Sequence, residues 1–263
     1  MSTFLFNEIV FGPVKSRRLG ISLGINLLPT TKKLCNFNCV YCECGVADET
    51  NHSVNNNLPS RKEVYDELKK KLLAVKEKGQ RHSPNVITFA GNGEPTLHPE
   101  FPEIVGDSIE LRNNILPSAK IAVLSNATTI RNPKVRDALL TVDQNILKLD
   151  SAIDKTIEFH NKPNCKIYAE ELINDFKTFN GKLIIQTLFL KGIADGKKID
   201  NTTKHELDEW TKAINAIQPE EVMIYTISRS VPDGVKLEKI SNHKLHSIER
   251  RIYKLGIKTR VSG

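Results

Sequence analysis

Apolar residues along this chain fall into two kinds of pattern. The first repeats with helical period. Val64, Leu68, Leu72 and Val75 form one stripe behind Ser60 and Glu63, a capping-box spacing, with Gly79 as a stop. Thr203 with Glu206 repeats that signal before Leu207, Trp210, Ile214 and Ile217. Ser241 precedes Leu245, Ile248, Ile252 and Leu255, with Gly256 as the stop. Leu172, Ile173, Phe176 and Phe179 predict a helix ending at Gly181, and helices are also expected over Glu100–Leu111 and Pro133–Leu140. The second kind is a short apolar run without helical period: Ile21–Leu28, Val86–Ala90, Ile121–Leu124, Ile146–Leu149, Leu183–Leu190 and Val222–Ile227. Their length, bounding turns and β-branched content predict strands buried on both faces.

Six strands alternating with helices imply parallel βα units and an α/β fold class. Six units are fewer than the eight of a closed barrel, so an open, partial (β/α)6 barrel fits, with a doubly wound open sheet as the alternative. In both, function collects at the C-terminal ends of the strands. A single domain over 1–263 is expected, with a short extension before the first strand. The polar stretch Asp48–Pro59 separates a cysteine-rich loop from a helix rather than one domain from another.

Bulk composition adds limits. At 263 residues, 39% hydrophobic and 26% charged, the chain is that of an ordinary globular protein with a sizeable core. Leu183–Leu190 is too short to span a membrane, and Met1–Val10 lacks a basic start and carries Glu8, so no secretory signal is read and a cytoplasmic location is expected. A net charge of +7 permits an anionic partner without demanding one. The basic segment Arg61–Arg81 reads as the solvated face of a helix, because aromatics do not interleave its charges.

The cysteines change the picture. Cys35, Cys39, Cys42 and Cys44 fall within ten residues and Cys165 stands alone. An odd count crowded into one loop argues against a disulfide framework and for thiolates gathered on a metal. Cys35-Asn-Phe-Asn-Cys39-Val-Tyr-Cys42 has a C-x3-C-x2-C spacing, and three thiolates can hold three irons of a [4Fe–4S] cube while the fourth keeps an open position. The alternative, a zinc site from Cys35, Cys39, Cys42 and Cys44, lacks the second separated pair usual for zinc loops. Cys44 is too near Cys42 for unstrained ligation of the same cube, and Cys165 reads as a lone thiol.

Polar residues stand at several strand ends. Gly91-Asn-Gly93-Glu94-Pro95-Thr96 lets the backbone approach a ligand and offers a carboxylate to an ammonium group; the alternative is a Gly-Pro turn, with Pro99 opening a helix. Ser125-Asn126 suits ribose hydroxyls or a carboxylate, or else a turn. Lys148 and Asp150 share a face and either line a cavity or form an ion pair. Gln186 is an amide inside an apolar run, needing partners from the core or from a ligand. Tyr225 and Arg229 share one face of the sixth strand and Thr226 and Ser228 the other. Arg17 and Arg18, placed before the first strand, hold an anion or a salt-bridged turn.

The cysteine spacing, with aromatic Tyr41 just before the last cysteine, resembles the signature of the radical S-adenosylmethionine (SAM) superfamily. The Gly-Asn-Gly-Glu-Pro-Thr segment, Lys-Leu-Asp at 148–150 and the opening from Phe11 to Gly20 are similar to a subgroup resembling tRNA wyosine-synthase-like radical SAM proteins, nearly end to end. The resemblance implies a partial (β/α)6 barrel, with Cys35, Cys39 and Cys42 on a [4Fe–4S] cluster whose open iron is chelated by SAM. It implies Tyr41 near the adenine, Gly93 and Glu94 at the SAM amino group, Ser125 and Asn126 at the ribose, and Asp150 and Gln186 as further cavity residues. The implied activity is reductive cleavage of SAM to a 5′-deoxyadenosyl radical that abstracts hydrogen from a small molecule or tRNA base. The alternative is an activase acting on a glycyl-radical partner protein. A flavodoxin or ferredoxin is the implied electron donor, and no membrane is implied.

Overall fold

Ser60 caps a helix as its spacing predicts: its hydroxyl accepts from the Glu63 amide while the Glu63 carboxylate reaches back to the Ser60 amide, opening α1 (Arg61–Glu77). Its buried stripe is Val64, Leu68, Leu72 and Val75, and its lysines face water, with Lys62 paired to Asp66 and Lys71 to Glu8. The computed structural model describes residues 4–47, 58–79, 83–228 and 235–263. The polar stretch Asp48–Pro59 lies almost wholly outside the described residues, as does Arg229.

The chain divides into two compact units. Leu5–Cys35 with Ala47–Asn145 form one. Its sheet runs in the order β1 (Val10–Ser16), β2 (Gly20–Ile25), β3 (Val86–Phe89), β4 (Lys120–Ser125), with β1 antiparallel and the others parallel. Helices α1, α2 (Phe101–Ile115) and α3 (Pro133–Thr141) supply the connections. Phe89 packs edge-on against Phe101 of α2, at 6.0 Å between centroids. β1 was not foreseen. It carries Pro13, which an edge strand tolerates, and Phe11, whose ring occupies the space a Cβ on Gly24 would need. Arg17 and Arg18 therefore lie in the turn of a β1–β2 hairpin, not ahead of the first strand.

Asn36–Val46 and Ile146–Gly263, with Met1–Phe4, form the other unit. β5 (Gln144–Lys148), β6 (Ile184–Ala194), β8 (Glu221–Thr226) and β10 (Lys258–Ser262) are parallel neighbours in that order. The end of β6 also pairs antiparallel with β7 (Lys197–Asp200) and β9 (Lys236–Lys239). α4 (Asp154–Asn161), α5 (Ala169–Lys177), α6 (Lys204–Ile217) and α7 (Asn242–Tyr253) complete it. Trp210 of α6 donates to Thr187 at 3.0 Å and stacks edge-on with Phe189, which fixes the outer face of β6. Lys148, Gln186 and Met223 stand in one register row on the opposite face. Above them, Leu188, Leu190 and Tyr225 pack with Val40 of the cysteine loop.

One expected cap differs. Thr203 accepts from the Glu206 amide, but the Glu206 carboxylate turns away to Ser151 at 2.7 Å and Thr156 at 2.5 Å. Two hydroxyl donors satisfy this buried carboxylate better than one amide at a helix end.

Buried Asn201 binds the unit together near the Asp150 strand end: it accepts from the Leu190 amide and donates to the carbonyls of Asp150 and Leu188. Asn201→Ala orphans these groups, and urea unfolding is expected to show a loss of about 3 kcal/mol.

Candidate functional site

In the unit of β2–β4, the chain leaving β3 makes the first anchor of the cysteine loop. The Leu34 amide donates to the Asn92 carbonyl at 2.9 Å, and the Glu94 amide donates to the Leu34 carbonyl at 3.1 Å. Gly93 holds φ at +144°, and a Cβ there would lie 1.8 Å from the Leu34 oxygen. The close approach that calls for glycine is thus made by the segment leading into Cys35. Asn92, between the glycines, is a buried hub: its side chain donates to the Phe6 and Pro29 carbonyls and accepts from the Phe6 amide.

Glu94 caps a short 3-10 turn over Pro95–Leu97. One carboxylate oxygen accepts from the Thr96 amide, the Thr96 hydroxyl and the Ser125 hydroxyl, at 3.1, 2.5 and 2.9 Å. The other accepts from the Asn126 amide at 2.6 Å. Burial pushes the Glu94 carboxyl up, against the pull of those donors. The Asn126 side chain donates toward Cys35 Sγ at 3.7 Å. Cys35, Glu94, Ser125 and Asn126, predicted separately, form one connected group. Pro99 does not open the next helix; α2 begins at Phe101, with its proline at Pro102.

In the other unit, the loop from Asn36 to Cys42 is stitched to the end of α4. The Asn38 and Val40 amides donate to the carbonyls of Lys162 and His160, and the Asn164 amide donates to Asn36. Lys162 ends the helix in the left-handed conformation. Tyr41 donates its hydroxyl hydrogen to Asp150, and Lys148 Nζ donates to the Tyr41 oxygen at 2.5 Å and to Asp150 at 3.1 Å. The Lys148 ammonium also lies 4.9 Å from the centre of the Tyr41 ring. The Leu188 amide completes Asp150 at 2.9 Å. Burial alone would raise the Asp150 carboxyl; Lys148 and these donors outweigh it and hold the group below the usual carboxylate range. Burial likewise opposes the charge on Lys148, but Asp150 raises it well above the ordinary lysine range. Lys148 is therefore the charged partner of Asp150 in an ion pair.

Two residues were missed from sequence. Asn161 of α4 reaches Asp150 at 2.8 Å, Tyr41 at 3.3 Å and Cys39 Sγ at 3.5 Å. His160 is buried with Nδ1 unpartnered, and burial lowers it to about 4. The helix carrying them went unseen because its only buried hydrophobic residue is Ile157. Gln186 is buried and its amide nitrogen has no partner, so the ligand option raised for it stays open. Tyr225 faces the loop, whereas Thr226 accepts from the Ile240 amide. Cys165 is exposed, and no disulfide joins the cysteines.

These residues fit an iron–sulfur cluster. Burial pushes the Cys39 thiol up while Lys148 pulls it down, so without a metal the thiol favours its proton. Amide donors aimed at Cys35 and Cys39 are the contacts that metal-bound sulfurs accept. Among the described residues, no three His, Cys, Asp or Glu side chains converge on a single-ion site. A cube, whose irons sit at separate corners, requires no such convergence.

Two substitutions test this geometry. Gly93→Ala should break the Leu34 pairing, lowering the thermal midpoint and speeding the reaction of Cys35 with a thiol reagent. His160 gives a signed pH effect. Between its folded value of about 4 and the unfolded value near 6.5, only the unfolded chain takes the proton. Its contribution is full above about pH 6.5 and falls by about 3 kcal/mol on acidification to pH 4. Urea titrations across that window should show His160→Gln with a flatter slope than the parent chain.

Comparison with known proteins identifies the family. The model of the Radical SAM superfamily matches residues 31–173. A Helicobacter pylori protein named UPF0026 protein is 34% identical over 242 residues, 90% of this chain and 71% of the relative. A Brachyspira hyodysenteriae protein named GTPase Obg is 33% identical over 224 residues, 84% of this chain, but the chain spans only 30% of that relative. A radical SAM methyltransferase structure from Sphaerobacter thermophilus superposes with a TM-score of 0.64 at 13% identity, covering 91% of this chain and 65% of that one. That likeness shows the fold, the α/β partial-barrel type expected. Superfamily members use a [4Fe–4S] cluster and SAM. Among the described residues no helix is long and apolar enough to cross a membrane. With the family match running from the cysteine loop through both strand-end networks, the chain belongs to the radical SAM superfamily.

Proposed function

We propose that this chain cleaves SAM reductively at a [4Fe–4S] cluster and uses the product radical to take hydrogen from a small molecule or a tRNA base. The observation that carries the reading is the C-x3-C-x2-C loop, held by backbone bonds at both anchors and with amide donors on Cys35 and Cys39. Cys35, Cys39 and Cys42 would hold the cluster. When bound, the cluster and SAM supply the electron and the sulfonium whose cleavage gives methionine and the 5′-deoxyadenosyl radical.

The chain's own residues bind and orient. The Glu94 oxygen that accepts only from the Asn126 amide keeps a lone-pair direction for an ammonium donor, and Gly93 sets that carboxylate beside the loop. Ser125 and Asn126 act first by holding Glu94, while the Asn126 side chain accepts from Thr128 and donates toward the Cys35 sulfur, at the edge assigned to the ribose. Gln186 offers its unpartnered amide hydrogens to a ligand acceptor. Asp150 acts through Tyr41, whose hydroxyl it fixes and whose ring then stands ready for the adenine. The electron donor is a low-potential flavodoxin or ferredoxin, and the reaction belongs to the cytoplasm.

Anaerobic reconstitution with iron and sulfide should give a brown protein that releases 5′-deoxyadenosine from SAM under reduction. Alanine at Cys35, Cys39 or Cys42 should abolish both. Glu94→Gln should keep the colour while raising the SAM concentration needed at least tenfold. A colourless zinc protein, or an alanine variant that still cleaves SAM, overturns the reading.

A further inference from the structure

The inference rests on the cluster reading above and concerns a residue outside the cysteine signature. Asn161 is the last residue of α4, and it lies 122 positions from Cys39 in the chain. Its side-chain nitrogen faces three acceptors: an Asp150 oxygen at 2.8 Å, the Tyr41 oxygen at 3.3 Å and Cys39 Sγ at 3.5 Å. An amide nitrogen carries two hydrogens. One is taken by Asp150, and the other is shared between Tyr41 and the sulfur. The orientation of the amide is decided by chemistry, because its oxygen turned toward the Asp150 carboxylate would place two acceptors face to face.

The side chain is buried, at 2% exposure, and the backbone around it is equally committed. The Val40 amide binds the His160 carbonyl, and the Asn38 amide binds the Lys162 carbonyl, one residue either side of Asn161. The residues flanking Cys39 are thus bonded to the residues flanking Asn161. This places the donor opposite the sulfur by backbone register rather than by a flexible side-chain reach.

We infer that Asn161 is a positioning residue that sets the electron affinity of the cluster through Cys39 and ties that sulfur to the Tyr41–Asp150 pair. A hydrogen bond to a ligating sulfur withdraws electron density from it and stabilises the reduced cluster. Removing the donor leaves more charge on sulfur and makes reduction harder. The same amide restrains Tyr41, so its loss also loosens the aromatic residue beside the last ligand.

The test is a redox titration of the reconstituted protein, followed by electron paramagnetic resonance, with iron content and circular dichroism measured alongside. Asn161→Leu keeps the branched shape and removes the donor. It should bind as much iron as the parent chain and show a lower midpoint potential. Asn161→Gln, which keeps the amide, should return the potential toward the parent value. If Asn161→Leu does not fold, Asn161→Ser is read in its place; its hydroxyl is too short to reach Cys39, and the same fall is expected. A parent chain with cluster and unchanged potentials in the variants overturns the role of Asn161 alone. A parent chain that assembles no cluster overturns the functional reading and this inference together.

Discussion

A loop without regular secondary structure must satisfy its backbone polar groups against something else. The cysteine segment does this twice. Leu34 exchanges hydrogen bonds with Asn92 and Glu94 beyond β3, and Asn36, Asn38 and Val40 pair with the residues that end α4. The thiols therefore inherit their positions from amides and carbonyls, and the sequence between the cysteines is free to be short. Gly93 follows from the same constraint, since no side chain fits where the Leu34 oxygen lies. A spacing that looks like a metal motif is also a bonding pattern of the main chain.

Around that loop, buried charge is compensated locally. The Asp150 side chain is wholly buried and that of Lys148 is 17% exposed. Such a pair is weak evidence for stability, but removing either partner leaves an unpaired charge, which is far more costly. Tyr41 and Asn161 complete the pair and extend it to Cys39. Glu94 is treated differently: it has no cationic partner in its hydrogen-bond set and is satisfied by hydroxyls and amides from Thr96, Ser125 and Asn126. One carboxylate is kept ionised by a cation, whereas burial raises the affinity of the other for a proton.

Legibility followed apolar content. The six runs without helical period are all strands, because β-branched residues buried on both faces leave a continuous signal. β10, reading Lys-Thr-Arg-Val-Ser, and the β7 and β9 ribbon strands carry no such run. α4 was invisible for a related reason: much of what it buries is His160 and Asn161, which periodicity counts as polar. Lys148 and Asp150 were legible as sharing a face, but the Tyr41 hydroxyl that joins their ion pair was not.

What the amino-acid order determined alone was local and periodic: helix caps, buried strands, the α/β alternation, and three thiols at a spacing suited to a cube. What only the tertiary structure decided was the company each group keeps. Asn92 proved to be a backbone hub, Ser125 and Asn126 proved to grip Glu94, and Asn161 proved to face Cys39. Hydrogen bonds between residues far apart in the chain leave no period in a sequence, because the distance that makes them is created by folding and not by the chain.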